Sequence, residues 1–268
     1  MNHSKTASHR FLHRLGAPLH DHVKINLEIA VLFFQTLRRT TQIQSWRWHE
    51  ISQFIVQNGL GSLPIIALST AFAGIVITQQ IAWHMDLALH DVSMIPGFTG
   101  QFIFRELGIA IPAMLLVAKA GASTTAEVGS MKVTEQIDAL KLLGIDPINY
   151  LVFPRFIASM ISGICLTIIA IFVTLFCSIA VSVSSYNYSV LEFLNALRHF
   201  VGIKDIFCAL TKGTLFGSII PIISCAYGFS CKGGAEGVGS ATTNSVVTAT
   251  LAVIILDFMI TYIFTWIL

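Results

Sequence analysis

The sequence predicts an all-α membrane protein with five transmembrane helices, an N-terminal interfacial amphipathic helix and one further amphipathic helix on the cytoplasmic side. Three observations carry this. The 268 residues have a mean hydropathy of +0.76 and only 11% charged residues, against roughly a quarter in soluble domains. Five apolar stretches reach the length of about 20 residues that a helix needs to cross hydrocarbon. Lys and Arg are distributed unevenly among the segments between those stretches.

The first element is "VKINLEIAVLFFQTLRRT", which is too short and too flanked by charge to cross. It is apolar enough to lie in the headgroup plane with Arg38 and Arg39 snorkelling outward. The alternative, a sixth short span, would reverse the topology. The five spans come next, at Leu60 to Trp83, Phe102 to Ala122, Phe156 to Val183, Ile206 to Phe229 and Val246 to Leu268, the second cut short by Arg105 and Glu106. This divides the chain into residues 1–59, a cytoplasmic N-terminus with its interfacial helix, and residues 60–268, the five-span domain.

Orientation follows from the basic residues, which concentrate on the cytoplasmic side. Lys5, Arg10, Arg14, Lys24, Arg38, Arg39 and Arg47 precede the first span, and the loop after it has two acids and no Lys or Arg. That places the N-terminus inside, the segment holding Lys119, Lys132, Lys141 and Arg155 inside, the Tyr186 to Asp205 loop outside, the Cys231 to Asn244 loop inside and Leu268 outside. Arg198 and Lys204 run against the rule.

Composition also excludes. A formal charge of +2 without a basic tract argues against nucleic acid. The five cysteines (Cys165, Cys177, Cys208, Cys225, Cys231) form no CxxC and lie mostly in apolar runs, as small hydrophobes do. The first 30 residues are polar and His-rich, unlike a signal peptide, so the expectation is a retained N-terminus. Its histidines (His3, His9, His13, His20, His22) lack ligand spacing, and neither a metal nor a cofactor is expected on this chain. The sequon at Asn187 to Ser189 is one three-residue match and carries little weight.

The polar stretch "VGSMKVTEQIDALKLLGIDP", Val128 to Pro147, stands out in so apolar a chain. On a helical wheel Val133, Ile137 and Leu140 share one stripe, and Glu135, Asp138 and Lys141 the opposite face. Thr124 and Glu127 have capping-box spacing, and Asp146 with Pro147 reads as an N-cap followed by proline at the first helical position. These signals predict a helix over about 124–145. It is either a solvated surface helix or a docking element. A connection this long, in a chain with spans but no G-x-x-x-x-G-K-[ST] phosphate loop, fits a helix that receives force from a separate ATPase.

From Arg105 to Arg155, "RELGIAIPAMLLVAKAGASTTAEVGSMKVTEQIDALKLLGIDPINYLVFPR" resembles the signature of MlaE-type permeases, the membrane subunits of ABC systems that move lipids with MCE-domain proteins. "KGGAEGVGSATTNSVV", Lys232 to Val247, and "LDFMIT", Leu256 to Thr261, resemble the same family's C-terminal signature. The resemblance implies that "VTEQIDAL" is the coupling helix, with Val133, Glu135, Gln136, Asp138 and Leu140 contacting the ATPase. It further implies a homodimer with a lipid cavity between subunits, cytoplasmic ABC ATPase subunits that hold ATP and Mg, a periplasmic MCE-domain protein, a phospholipid substrate and a bacterial inner membrane. The chain departs from the family pattern in having Gly108 and Ile109 after Arg-Glu-Leu, with proline only at Pro112, and Lys119 where an arginine is usual. The first departure shifts a helix kink by about one turn, and the second keeps the charge while losing bidentate binding.

Ionisable residues at membrane depth are costly, which makes each a functional candidate. Arg105 and Glu106 are adjacent, so they point about 100° apart on a helix and pair poorly with each other. They are expected either to face the lipid cavity, with Arg105 meeting a phosphate, or to anchor at headgroup level. Lys212 and Asp257 are the candidates for an intramembrane charge pair. "GGAEGVGSA", Gly233 to Ala241, lacks the preceding strand of a nucleotide fingerprint; it is expected to form a cytoplasmic turn, with Ser240, Thr242, Thr243 or Asn244 capping the last helix. Gly213 with Gly217, and Ser159 with Gly163, are small-residue pairs that permit close helix packing, within the subunit or across a dimer. No nucleophile and base stand together, so the chain reads as a non-catalytic permease. Competing readings are an ATP-independent lipid carrier or scramblase and a structural membrane anchor.

Overall fold

The computed structural model describes residues 25–39, 47–89 and 94–267. The N-terminal histidines lie outside them. Among the described residues every regular element is helical and no strand occurs. Five helical segments are long and apolar enough to cross a membrane: Trp48–Leu87, Ile95–Val133, Ile148–Tyr186, Ile203–Phe229 and Gly234–Trp266. The apolar runs explain this, because with no water to satisfy it the backbone must pair within its own helix.

A helix over residues 25–39, α1, precedes the spans. It buries Ile29 and Thr36 and exposes Leu27, Val31, Phe34 and Leu37. Helix α2 (Trp48–Asn58) turns through a single 3-10 turn into α3 (Leu63–Leu89). The second span is built from α4 (Ile95–Phe102), α5 (Gly108–Leu116) and α6 (Ala122–Val133), joined by two π turns, Ile103–Leu107 and Val117–Gly121. In the first π turn the Gly108 N–H donates to the Ile103 carbonyl, and in the second the Ala122 N–H donates to that of Val117. Such a turn contains one extra residue and rotates the helix beyond it. Residue Pro112 sits inside α5, about one turn beyond the end of the first π turn.

After a short helix α7 (Gln136–Leu142), a third π turn (Ile148–Val152) opens α8 (Phe153–Tyr186). The chain then forms α9 (Val190–Phe200), α10 (Ile203–Phe229) and α11 (Gly234–Ile267). Two of these differ from expectation. The Tyr186 to Asp205 loop contains α9, whose start is fixed by a reciprocal cap: Glu192 N–H donates to Ser189 Oγ (3.1 Å) and Ser189 N–H to Glu192 Oε2 (2.8 Å). The expected Cys231 to Asn244 loop is mostly helix, because the turn is completed by Gly233 and Gly234 at φ +89° and +73°. Accordingly Thr242 and Thr243 cap nothing; their hydroxyls donate back to the carbonyls of Val238 and Gly239 inside α11.

Helix α10 is the most enclosed of the five spans and the last span the least. It crosses α8 at backbone contact. A Cβ on Gly163 would stand 2.6 Å from the Gly213 carbonyl oxygen, and one on Gly217 would stand 2.5 Å from that of Ser159. The two small-residue pairs therefore meet each other within one chain. The core around them includes Phe153, Phe156, Leu166, Phe216 and Ile220, while α3 and α11 keep Leu68, Phe72, Val76, Ile255, Phe258 and Trp266 exposed. Exposed apolar faces of this breadth suit contact with lipid tails.

Candidate functional site

Arg105, Glu106, Lys212 and Asp257 converge on one locus beside the first π turn. Arg105 and Glu106 both lie within that turn. Each reaches a different partner. Arg105 Nε donates to Asp205 Oδ1 at 2.7 Å, and Asp205 Oδ2 accepts the Gly202 N–H at 2.9 Å, so one carboxylate ties the arginine to the α9–α10 junction. Glu106 points to Lys212, 3.3 Å from its Nζ, and Oε1 also accepts the Thr261 hydroxyl at 3.2 Å.

Lys212 is completely buried, and its surroundings explain how an ammonium is tolerated there. Its Nζ donates to the Arg105 carbonyl oxygen at 2.6 Å and to Glu106, and stands 2.7 Å from Asp257 Oδ1, an ion pair outside hydrogen-bond alignment. The two sequence candidates Lys212 and Asp257 thus lie in contact, and Glu106 shares the same ammonium. Two carboxylates around one buried cation form a compact network joining α10, α11 and the π turn. A hydrogen bond from the lysine to a backbone carbonyl is available because the π turn leaves its carbonyls less fully used by the helix.

Beside this network opens a cleft of about 150 Å³, lined by Arg105, Lys204, Asp205, Cys208, Thr261 and Phe264 among others. Arg105 is the half-exposed member, with 47% of its side chain accessible. Because Asp205 takes only the Nε, the two Nη groups of the guanidinium stay free of hydrogen bonds to other described side chains. A guanidinium held at one edge and open at the other is suited to binding an oxyanion at two points. Sequence reasoning placed Arg105 and Glu106 but missed Asp205, whose carboxylate also accepts the Gly202 N–H at the start of α10.

A second polar locus lies at the opposite ends of the spans. The expected single helix over about 124–145 is two helices broken at Thr134 and Glu135, with Glu135 in the left-handed region at φ 60°. Thr124 and Glu127 cap nothing, since α6 continues unbroken from the second π turn; Thr124 is buried and Glu127 pairs with Arg155 at 2.8 Å. The expected apolar stripe is present, with Ile137 buried and Val133 and Leu140 half-buried. On the other side Asp138 accepts from Lys132 at 2.9 Å and from Lys141 at 3.2 Å, and these two ammonium groups hold its carboxyl below the usual carboxylate range. Glu135 and Gln136 are exposed.

Asp146 caps as its sequence position predicts, accepting the Ile148 N–H on Oδ1 at 3.0 Å. Arg39 departs from the snorkelling expectation, because it turns back to pair with Asp146 and to donate to Asn149 Oδ1 at 3.0 Å. The Lys119 ammonium, in the second π turn, donates to the carbonyl oxygen of Gly61, which needs a single donor and no guanidinium fork.

Comparisons with known proteins agree with this architecture. The family described as permease MlaE matches residues 51–263, nearly all of the described spans. A probable ABC transporter permease protein of Synechocystis is 37% identical over 204 residues, covering 76% of this chain and 77% of its own. A probable ABC transporter permease protein of Pyropia yezoensis is 37% identical over 231 residues, covering 86% and 87%, and one of Porphyra purpurea is 42% identical over 195 residues, covering 71% and 72%. The chain is a multi-pass membrane protein that belongs to the MlaE permease family of ABC transporters, a class of subunit that works with ATPase partners.

Proposed function

We propose that this permease moves phospholipid-like amphiphiles, using Arg105 and the Glu106–Lys212–Asp257 network to receive the headgroup, and that ATP hydrolysis on separate subunits drives the cycle. The observation that carries the reading is the cleft beside Arg105. An open-edged guanidinium there, on a wall that also carries Lys204, Asp205, Thr261 and Phe264, lies next to the charge network around the buried Lys212. A zwitterionic or anionic headgroup offers the phosphate that such a guanidinium binds, and the exposed apolar faces of α3 and α11 offer a surface for acyl chains. The neighbouring acids, Asp205 buried and Glu106 and Asp257 half-buried, balance the cations, so a bound phosphate is not trapped by unopposed positive charge.

In this proposal the chain is a non-catalytic homodimer with its N-terminus in the cytoplasm and its C-terminus in the periplasm. Basic residues concentrate on the side that carries α7, which supports that orientation. The residues Val133, Glu135, Gln136, Asp138 and Leu140 present α7 to the ATPase, and the opposite face hands lipid to an MCE-domain protein. The bacterial inner membrane is the setting this assembly requires.

The test is an organic extraction of what copurifies with the detergent-solubilised wild-type protein and with Arg105→Ala. The reading predicts phospholipid in the wild-type extract and at least a severalfold loss in the variant at equal folded yield. Equal phospholipid in both extracts would refute the assignment of Arg105.

A further inference from the structure

We propose that Arg39 and Asp146 form the mechanical link through which movement of α7 reaches the N-terminal helices α1 and α2. This inference rests on the reading of α7 as the ATPase-docking helix. Helix α7 is joined stiffly to Asp146. At the end of α7 the Ile145 N–H reaches back to the Leu140 carbonyl (2.9 Å) and the Gly144 N–H to that of Lys141 (3.0 Å), with Gly144 at φ +75°. That is the two-bond glycine closure of a helix C-terminus. The very next residues start another helix, where Asp146 Oδ1 accepts the Ile148 N–H and the Asp146 carbonyl accepts the Tyr150 N–H at 3.1 Å. A C-terminal closure and an N-cap back to back leave little slack between α7 and Asp146.

The carboxylate of Asp146 divides its work. Oδ1 caps the helix, and Oδ2 pairs with Arg39 at the end of α1. The same Arg39 Nη1 donates to Asn149 Oδ1, one turn further on. Two more cations tie the neighbouring helix α2 to the chain beyond α7: the Arg47 guanidinium lies 4.3 Å above the Tyr150 ring in the third π turn, and that of Arg155, in the first turn of α8, lies 4.6 Å above the Phe54 ring. Arg155 is buried and also donates to the Leu151 carbonyl oxygen at 2.9 Å, so it acts as a fixed pivot. These cation contacts, from Asp146 to the first turn of α8, therefore fall on α1 and α2.

Among them, the Arg39 contact alone reaches α1. With side-chain exposures of 23% and 40%, Arg39 and Asp146 are neither sealed off nor fully solvated, which suits a contact that can shift during a cycle. The outer face of α1 indicates where the displacement would act. Leu27, Val31, Phe34 and Leu37 are exposed together, as in a helix lying in the headgroup plane. A stroke on α7 would rock that face against the leaflet. Arg39 and Asp146 are in this sense positioning residues, acting through their contacts with each other, Asn149 and the start of the helix after α7.

The test uses the full permease with its ATPase subunits, reconstituted in vesicles of phosphatidylethanolamine and phosphatidylglycerol with a trace of headgroup-labelled fluorescent phosphatidylethanolamine. The variants are Arg39→Gln, Asp146→Asn and the double. Asparagine caps a helix as well as aspartate, so Asp146→Asn removes the charge and keeps the helix start. The expected result is an unchanged amount of bound ATPase and an unchanged thermal midpoint. Labelled lipid moved per ATP hydrolysed falls about fivefold in each single variant and no further in the double, the pattern of one shared interaction. Wild-type lipid per ATP in the single variants, or losses that multiply in the double, would overturn the link. Glu135→Lys/Asp138→Lys is measured alongside to separate two failures. If that variant releases the ATPase while Arg39→Gln transports normally, the link alone falls. If that variant keeps the ATPase at full strength, α7 is not the dock and the link falls with it.

Discussion

Replacing Lys212 by methionine removes the cation around which the intramembrane network is arranged while keeping much of the side chain's volume. In the wild-type protein its ammonium is completely buried and faces Asp257 at 2.7 Å, the Arg105 carbonyl at 2.6 Å and Glu106 at 3.3 Å. At these separations each unit-charge contact is of the order of 5 kcal/mol at an effective dielectric constant near 20, before desolvation is subtracted. Mutations that strip one partner from a buried ion network cost about 3–5 kcal/mol net, because the remaining charge is left uncompensated. Here two carboxylates would remain, and only Glu106 retains a neutral donor, the Thr261 hydroxyl. With about 2–4 °C of midpoint per kcal/mol for a chain of this size, Lys212→Met should lower the thermal midpoint in detergent by roughly 10 °C. Asp257→Asn leaves Lys212 paired with Glu106 and should lower it by only a few degrees. The assay is a thermal aggregation series monitored by size-exclusion chromatography. A Lys212→Met midpoint within about 1 °C of wild type would refute the reasoning, since no buried ammonium could then be holding two acids.

Asp205→Asn weakens the tether on Arg105 and removes one negative charge from the cleft; it should retain more anionic phospholipid through purification and release it more slowly, as read by lipid extraction and by off-rate of a fluorescent phosphatidylglycerol. Gly163→Leu inserts a side chain where even a Cβ meets the Gly213 oxygen at 2.6 Å, so α8 and α10 must separate at a cost of about 1–3 kcal/mol or more, seen as reduced folded yield on size exclusion. Glu135 holds a left-handed backbone angle, so Glu135→Gly should leave the thermal midpoint unchanged or raise it, whereas Glu135→Val should lower it by about 1–2 kcal/mol equivalent. Because Lys132 and Lys141 depress the Asp138 carboxyl, its ion pairs are intact above the ordinary carboxylate pKa and are lost only as pH falls through the lower folded value. Binding of the ATPase should therefore show no Asp138-dependent change between about pH 8 and pH 5, measured by comparing wild type with Asp138→Asn across that range.

The spans were legible because their signal is additive: each depends on some 20 residues, and no single neighbour can cancel it. Where a span begins was not equally legible. The last one starts at Gly234 rather than near Val246, because a helix can extend well beyond the apolar slab and its polar first turns look like loop in the sequence. The π turns left no trace at all. Ile103–Leu107 and Val117–Gly121 differ from ordinary helix only by a widened hydrogen-bonded turn, and the first of them carries Arg105 and Glu106. Asp146 could be read from its neighbours, since a cap followed by proline is a local signal. Asp205, Glu127 and Arg39 could not, since each is defined by a partner 28 or more positions away. The break at Thr134 and Glu135 was hidden for a related reason. The wheel that groups Val133, Ile137 and Leu140 tolerates one left-handed residue without losing its stripe.

The most direct test of a powered lipid permease is transfer of fluorescent phospholipid by the reconstituted permease–ATPase complex, with ATP, without ATP and with an ATPase unable to hydrolyse it. The account predicts transfer that requires hydrolysis and collapses in Arg105→Ala. Transfer at the same rate without ATP would contradict it and identify a passive carrier.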